Sequence, residues 1–176
     1  MKTTKTLLFI LILSIISCKN EKKTTISSSQ LNINDLKKEI IYDRNTESYG
    51  IFLDISGNDS LNYESLPLSM LLADDKNAKA NVMVFIQMVE VFNKKKFSIK
   101  KFKDLTEANR DFAFYHLEKA AGMGSFSGQV YLEEIYRNGI GIDKNERKAD
   151  SILNVLRKQE GYKDEHRLTI PGMREE

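Results

Sequence analysis

A pattern of small and apolar residues recurs along this chain, and that recurrence constrains its fold more than any local feature. Ala113 has a counterpart at Ala149, 36 positions later, and Leu72-Ala73 has a counterpart at Ala120-Ala121, 48 positions later. Periods of about 20 to 50 residues are typical of repeat architectures, in which each copy buries its apolar face against the next copy. At least about three copies are needed to form a core, and this chain has room for three.

The clearest copy has the composition of an antiparallel helix pair. Apolar residues at helical spacing form two stripes, Leu132, Ile135 and Tyr136 on one helix and Ile152, Leu153, Val155 and Leu156 on its partner. Gly139 and Gly141 permit the positive φ at which the first helix ends and the chain reverses. Ala120 and Ala121 allow a neighbouring helix to approach closely. The sequence therefore predicts helix pairs joined by glycine turns.

The earlier copies are fainter and contain an insertion. Since the offset is 48 rather than 36 positions, we expect about 12 additional residues in a loop over residues 94–106. The first copy would use residues 46–56 and 65–74 as its helices, joined by residues 57–60. Upstream, Asn34-Asp35 predicts the cap of a short helix that covers one end of the domain. The apolar residues of this helix are Leu36, Ile40 and Ile41.

The best-preserved copy resembles the Sel1-like repeat, a helix pair related to the tetratricopeptide repeat. The matching positions are residues 113–121 with Gly124, then Ser127-Gly128, Leu132 and Tyr136, then the turn of residues 139–142 with Lys148-Ala149. This resemblance implies an all-α fold, in which residues 31–161 form a right-handed α-solenoid of about three antiparallel helix pairs. Residues 162–176 follow as a carboxy-terminal tail that lacks the pattern.

The amino-terminal residues have the organisation of an export signal. Lys2 and Lys5 precede an apolar run over residues 7–16. This run is shorter than the 20 or so residues of a membrane-spanning helix, but its length fits the apolar core of a signal peptide. At its end, Ile15-Ile16-Ser17-Cys18 resembles the lipobox of bacterial lipoproteins. The resemblance implies that residues 1–17 are removed and that Cys18 is the lipid attachment site. Residues 18–30 are polar and are expected to form a flexible tether.

The lipobox resemblance also indicates a location. Lys19 follows Cys18 where an inner-membrane lipoprotein usually has Asp, so we expect a lipid anchor in the bacterial cell envelope, at the outer membrane, on either face. A cleaved signal without lipid and an uncleaved anchor are the alternatives. Because Cys18 is the only cysteine, its lipidation would leave no thiol for a disulfide, a nucleophile or a metal site.

The net charge of the chain limits which partners it can attract electrostatically. Without residues 1–17 the chain has 159 residues with 25 basic and 25 acidic side chains, so its net charge is zero. Such a chain has no general field for nucleic acid, and any electrostatic binding must be local. The only dense basic patch comprises Lys94, Lys95, Lys96, Lys100, Lys101 and Lys103. It is interpreted either as a contact for lipid headgroups or an acidic partner, or as a solvated loop.

Catalytic and metal-binding patterns are absent from the sequence, so we expect no catalytic residues, no metal and no cofactor. The histidines, His116 and His166, lie on different segments, and we expect the first to pack between helices and the second to lie in an exposed tail. The adjacent carboxylates at 74–75 and 133–134 point to different sides of a helix. Residues 138–141 are interpreted as a repeat turn, because no dinucleotide-binding spacing surrounds them.

A solenoid presents one broad surface formed by the first helix of each pair, and this predicts a scaffold or adaptor that binds another protein rather than an enzyme. The expected contact residues are Gln87, Glu90, Gln129 and Glu133. Two alternatives come from the Sel1-like resemblance: an immunity protein that neutralises a secreted toxin, and a β-lactam-binding or hydrolysing enzyme. The chain has no Ser-x-x-Lys motif and no repeated cysteines for the second. We expect no small-molecule substrate.

Overall fold

The computed structural model describes residues 32–56, 63–74, 76–159 and 162–173. Within these ranges all regular elements are helical, so the all-α prediction is confirmed. The elements are α1 (Ile33–Asp43), α2 (Thr46–Ser56), α3 (Ser65–Leu72), α4 (Ala78–Asn93), the 3-10 helix η1 (Ile99–Asp104), α5 (Glu107–Gly122), α6 (Phe126–Asn138), α7 (Glu146–Arg157) and the 3-10 helix η2 (Asp164–Thr169). The predicted signal peptide, Cys18, the tether and the loop of residues 57–60 lie outside the described residues.

Short polar side chains fix where several helices begin. Asn32 Oδ1 accepts a hydrogen bond from the Asn34 N–H at 3.0 Å, so α1 begins before the predicted cap at Asn34-Asp35. Ser125 Oγ accepts from the Gly128 N–H at 3.2 Å at the start of α6. At the other end of α6, Gly139 adopts a φ of 64°, which confirms the predicted glycine turn.

The first copy of the repeat is only partly as predicted. Helix α2 has the predicted bounds, whereas α3 ends at Leu72 rather than at residue 74. It stops there because Asp74 Oδ1 accepts a hydrogen bond from the Lys76 N–H at 2.9 Å and begins a turn. Helix α2 also contacts α1 more extensively than it contacts α3. The closest packing in this region therefore joins α1 to α2 and α3 to α4.

Two hydrophobic cores hold the helices together. The amino-terminal core is made by Ile40, Tyr49, Phe52, Leu68, Leu72 and Ala80. As predicted, Leu36 and Ile40 of α1 are buried and α1 covers this end, although Ile41 is exposed. The carboxy-terminal core is larger and joins α4 through α7 with η1 and Ile170. The stripe of Leu132, Ile135 and Tyr136 is buried there, whereas in the partner stripe only Leu156 is buried.

The inserted segment is part of the carboxy-terminal core. Its apolar side chains Phe97, Ile99, Phe102 and Leu105 are all buried. The Phe102 ring lies 5.5 Å from the Phe85 ring and 6.1 Å from the Phe114 ring, measured between centroids. The interpretation as a solvated loop is therefore wrong for the apolar half of this segment, because these rings fill space between α4 and α5.

The predicted tail packs on the helical body. Ile170 is buried, and the Tyr131 hydroxyl of α6 donates a hydrogen bond to the Pro171 carbonyl oxygen at 2.8 Å. The Ile99 N–H of η1 donates to the Gly172 carbonyl oxygen at 3.3 Å. Residues 162–173 thus complete the core that the repeats begin, although they carry no repeat pattern.

Candidate functional site

The four predicted contact residues do not form an open surface. Gln87, Gln129 and Glu133 are only 3%, 8% and 0% exposed, and Glu90 is half-buried. The expected exposed position is wrong for the first three. They lie off the apolar stripes of their own helices, but they are buried all the same, and each has a polar partner within the protein.

Gln87 belongs to a buried hydrogen-bond chain between α2, α3 and α4. The Ser69 hydroxyl lies 2.6 Å from Gln87 Oε1 and 2.7 Å from the Tyr49 hydroxyl. Burial raises the pKa of Tyr49 to about 12, so the phenol stays protonated and can serve as a donor. This hydrogen-bond chain ties α2, α3 and α4 to one another.

Gln129 connects α6 to neighbouring segments, whereas Glu133 pairs with a residue of α6 itself. Gln129 Nε2 donates to the Ala121 carbonyl oxygen at 3.3 Å, and its Oε1 accepts from Gln159 Nε2 at 2.8 Å. Glu133 forms an ion pair with Arg137. A buried carboxylate of this kind is costly to leave without a cation, so this pair is structural.

Glu90 holds the start of the inserted segment. Its Oε1 accepts a hydrogen bond from the Phe97 N–H at 3.0 Å. Burial raises the pKa of Glu90, while the Phe97 N–H and the charge of Lys96 act in the opposite direction. Burial, and after it the Glu90 charge, raises the pKa of the Tyr131 hydroxyl, which therefore remains a hydrogen-bond donor.

The carboxy-terminal segment occupies a groove between α6 and the insertion. Two backbone carbonyl oxygens, of Pro171 and Gly172, accept hydrogen bonds from Tyr131 and from the Ile99 N–H. Gly172 has a φ of 72°, and a Cβ added there would lie 2.4 Å from Phe97 Cδ1. Only glycine fits this contact without displacement, so the groove is shaped for a closely approaching backbone.

Gly141 provides a second close contact with the insertion. Its φ is 73°, and an added Cβ would lie 2.9 Å from Arg110 Cδ and 3.1 Å from Lys103 Cα. The predicted repeat turn therefore packs directly on η1. Together, Gly141 and Gly172 hold the insertion from two sides.

His116 packs between α4 and α5, as predicted. Asn81 Nδ2 donates to the carbonyl oxygens of Asp74 and Asn77, both at 2.9 Å, so Asn81 Oδ1 serves as acceptor for His116 Nδ1–H at 2.7 Å. Burial, and after it the charge of Lys119, lowers the pKa of His116 and favours the neutral ring. His166, expected to be exposed, is half-buried.

The basic patch becomes an ordered feature, which we call the lysine ridge and define as Lys94, Lys95, Lys96, Lys100, Lys101 and Lys103. Five of these six residues are exposed, and Lys101 is half-buried. Lys101 pairs with Asp104 at 3.1 Å. The ridge is the most concentrated positive charge of the chain.

Metal clusters and membrane-spanning helices were sought in the part of the chain that the structure describes. Across residues 32–173, outside the gaps noted above, no three His, Cys, Asp or Glu side chains lie close enough together to hold a metal ion. None of the helices in that part has the length and apolar character needed to cross a bilayer. Comparisons with family models, curated proteins and solved structures found no match to this chain.

Proposed function

We propose that this protein is a lipid-anchored scaffold of the bacterial envelope, in which a right-handed α-solenoid of helix pairs binds another protein. The proposal has three parts, namely the solenoid, the anchor at Cys18 and the protein-binding groove. Each part depends on different residues and can be tested separately.

The contacts between helices support the solenoid. The most extensive contacts are between helices that follow each other in the chain, above all α4 with α5 and α6 with α7. Residues of the repeat pattern also meet: an added Cβ at Gly128 would lie 3.1 Å from the Ala121 nitrogen, and Lys148 Nζ lies 4.7 Å from the centre of the Tyr136 ring. Such neighbour-to-neighbour packing is typical of repeat arrays.

The anchor rests on the sequence. A sole cysteine at the end of a signal-like apolar run is the position at which a lipoprotein is acylated. Two or three acyl chains, at roughly 0.8 kcal/mol for each buried methylene, would hold the protein on its membrane. We expect mass spectrometry of the mature amino terminus to detect the acyl groups, and Cys18→Ser to abolish them. An unmodified Cys18 in the mature protein would exclude this part.

The groove between α6 and the insertion is the observation that carries the protein-binding role. It already binds the turn of residues 170–173 through two backbone carbonyl oxygens, 2.8 and 3.3 Å from their donors. Backbone recognition of this kind is a common way for proteins to bind peptides. A partner segment would compete with residues 170–173 or bind beside them.

Site-specific photocrosslinking in intact cells tests the groove. Tyr162, whose ring lies 6.1 Å from the Phe126 ring of α6, is replaced by benzoylphenylalanine, and Tyr42, an exposed residue of α1, receives the same substitution as a control. We expect one discrete adduct from position 162 and none from position 42. Equal adducts from both positions, or an adduct from position 42 alone, would contradict a partner at the groove.

A further inference from the structure

The lysine ridge is built on a fixed backbone. The Phe97 ring lies 5.4 Å from the Tyr131 ring, and Phe102 is fully buried, so the chain between the lysines is anchored in the core. Asn93 Nδ2 donates to the Lys101 carbonyl oxygen at 3.1 Å and joins η1 to the end of α4. A fixed backbone that displays several charges loses less conformational entropy on binding than a flexible loop would.

Charge is segregated along the chain. Residues 94–103 carry six lysines and no acidic residue, whereas residues 32–75 carry nine acidic and three basic residues. Because the helices contact mainly their neighbours in the chain, this segregation along the sequence also separates the charges in space. An extended anionic surface would therefore attract the ridge and repel α1 to α3, which orients the molecule.

The residue types indicate which kind of anion fits. All six cations are lysines, which are compact, strongly hydrated point charges on flexible stems, and the ridge contains no arginine for bidentate binding of a single carboxylate or phosphate. Phe92, in the last turn of α4 next to Lys94, is 51% exposed. Lysines beside an exposed aromatic ring are typical of surfaces that lie on a bilayer.

We propose that the lysine ridge binds the anionic headgroups of a bilayer surface. This inference rests on the proposed function only in that the acyl chains at Cys18 would hold the ridge near such a surface. One lipid anchor and one basic patch reinforce each other, because the second contact forms while the first already holds the protein in place. The ridge would then fix which side of the helical body faces the membrane.

Vesicle binding by the mature chain with Cys18→Ser tests the ridge without the acyl chains. This variant retains residues 32–176, which form one compact unit. We expect co-sedimentation with vesicles rich in phosphatidylglycerol, none with phosphatidylcholine alone, and a steep loss of binding between about 0.05 and 0.2 M salt. Equal binding to both lipids, or none to the anionic vesicles, would overturn the proposal, while acylation of wild-type Cys18 remains a separate measurement.

Two triple variants locate the binding charge. Replacing Lys94, Lys95 and Lys96 by Gln should weaken vesicle binding on the order of a hundredfold, at about fivefold for each lysine. Replacing Lys144, Arg147 and Lys158 by Gln removes the same charge from exposed positions on or next to α7, and we expect a much smaller loss. An equal loss of vesicle binding in both variants would mean that binding depends only on net charge. This result would overturn the proposal that the lysine ridge is the binding site.

Two other partners are outcomes of the same experiments. Binding of polyglutamate but not of anionic vesicles would replace the bilayer with an acidic protein segment. The chain could also dimerise in light scattering without binding vesicles, and the Lys94, Lys95 and Lys96 variant could abolish that dimer. This result would replace the bilayer with the acidic helices of a second copy. Unchanged helical circular dichroism in both triple variants shows that the fold is intact, as the exposed positions of these side chains lead us to expect.

Discussion

The two cores of this protein differ in how well their helices are covered. Of the eleven large apolar side chains that are exposed in the described ranges, seven belong to residues 33–71, namely Ile33, Ile41, Tyr42, Ile55, Tyr63, Met70 and Leu71. The carboxy-terminal core gains cover from the insertion and from residues 162–173, whereas the amino-terminal core gains α1 alone. A short repeat array leaves faces without a neighbour, and segments outside the repeat close one end of this array better than the other.

This difference predicts a gradient of stability. The carboxy-terminal core places the rings of Phe85, Phe97, Phe102 and Tyr131 within 5.4 to 5.8 Å of one another in four pairs. Aromatic pairs at such distances add to the free energy gained by burial. We therefore expect α1 to α3 to open more often than α4 to α7.

The largest effect should come from truncating a buried ring in each core. Phe85→Ala should lower the free energy of unfolding by about 3 to 5 kcal/mol, because Phe85 contacts three other rings. Phe52→Ala removes an equally buried ring from the amino-terminal core and should speed hydrogen exchange only in α1 to α3. Faster exchange in α5 to α7 of the second variant would mean that the two cores open as one unit.

Gly172→Ala should displace residues 170–173 from the carboxy-terminal core. The added Cβ would collide with the Phe97 ring at a residue with a φ of 72°, so we expect a loss of about 1 to 3 kcal/mol in urea unfolding. The Ile99 amide, which donates to Gly172, should exchange faster. An unchanged Ile99 amide would show that residues 170–173 contribute little to the closure of this core.

The junction between the cores should respond to pH through His116. The pKa of His116 is lowered in the folded protein, so the unfolded chain binds more protons below the ordinary histidine pKa of about 6.5. Its stabilisation is present above that pH and is lost as the pH falls through the lower, folded pKa. Unfolding curves across this pH window should show a smaller loss of the free energy of unfolding in His116→Gln than in the wild type. We expect this difference to be smaller than the change in the free energy of unfolding caused by Gly172→Ala. The same slope in both proteins would show that His116 is not the group responsible for the loss.

Gly50→Ala should give the smallest effect, and a stabilising one. Gly50 is inside α2, and the atom nearest to an added Cβ is Lys79 Nζ at 3.7 Å, so alanine should add about 0.5 to 1 kcal/mol through helix propensity. Gly128→Ala is the matched control, since its Cβ would lie 3.1 Å from the Ala121 nitrogen and should destabilise. Slower exchange in α2 of Gly50→Ala would confirm that the amino-terminal region limits local stability.

Features set by neighbouring residues could be predicted from the sequence. The bounds of α2, the turn at Gly139 and the packing of His116 all follow from local spacing and residue type. The insertion could be located by its offset, but the burial of Phe97, Ile99 and Phe102 could not be predicted, because their spacing of two and three fits no single helix or strand period. The one available signal was the high content of aromatic residues among the lysines.

The docking of the carboxy-terminal segment could not be predicted from the sequence, because it joins residues that lie far apart in the chain. Gly172 is confined by a ring 75 positions earlier in the sequence, and neither residue indicates the other. The same limit explains Gln87, Gln129 and Glu133, which look exposed when each helix is considered by itself. Residues 170–173, with the sequence Ile-Pro-Gly-Met, do combine apolar and turn-forming residues in a polar surrounding, and this contrast is the signal that points to packing.

The bond from Tyr131 to Pro171 spans 40 residues, and it has a consequence for the order of events during folding. A polypeptide emerges from the ribosome with its amino terminus first, so the segment that covers Phe97 and Tyr131 is synthesised after both of these residues. Until it is synthesised, the rings of Phe97 and Tyr131 are not covered by it, and the insertion lacks the contact with Gly172. The final shape of that charged surface is therefore set only after residues 170–173 have been synthesised, and a chain interrupted before residue 170 would display it on an incomplete core.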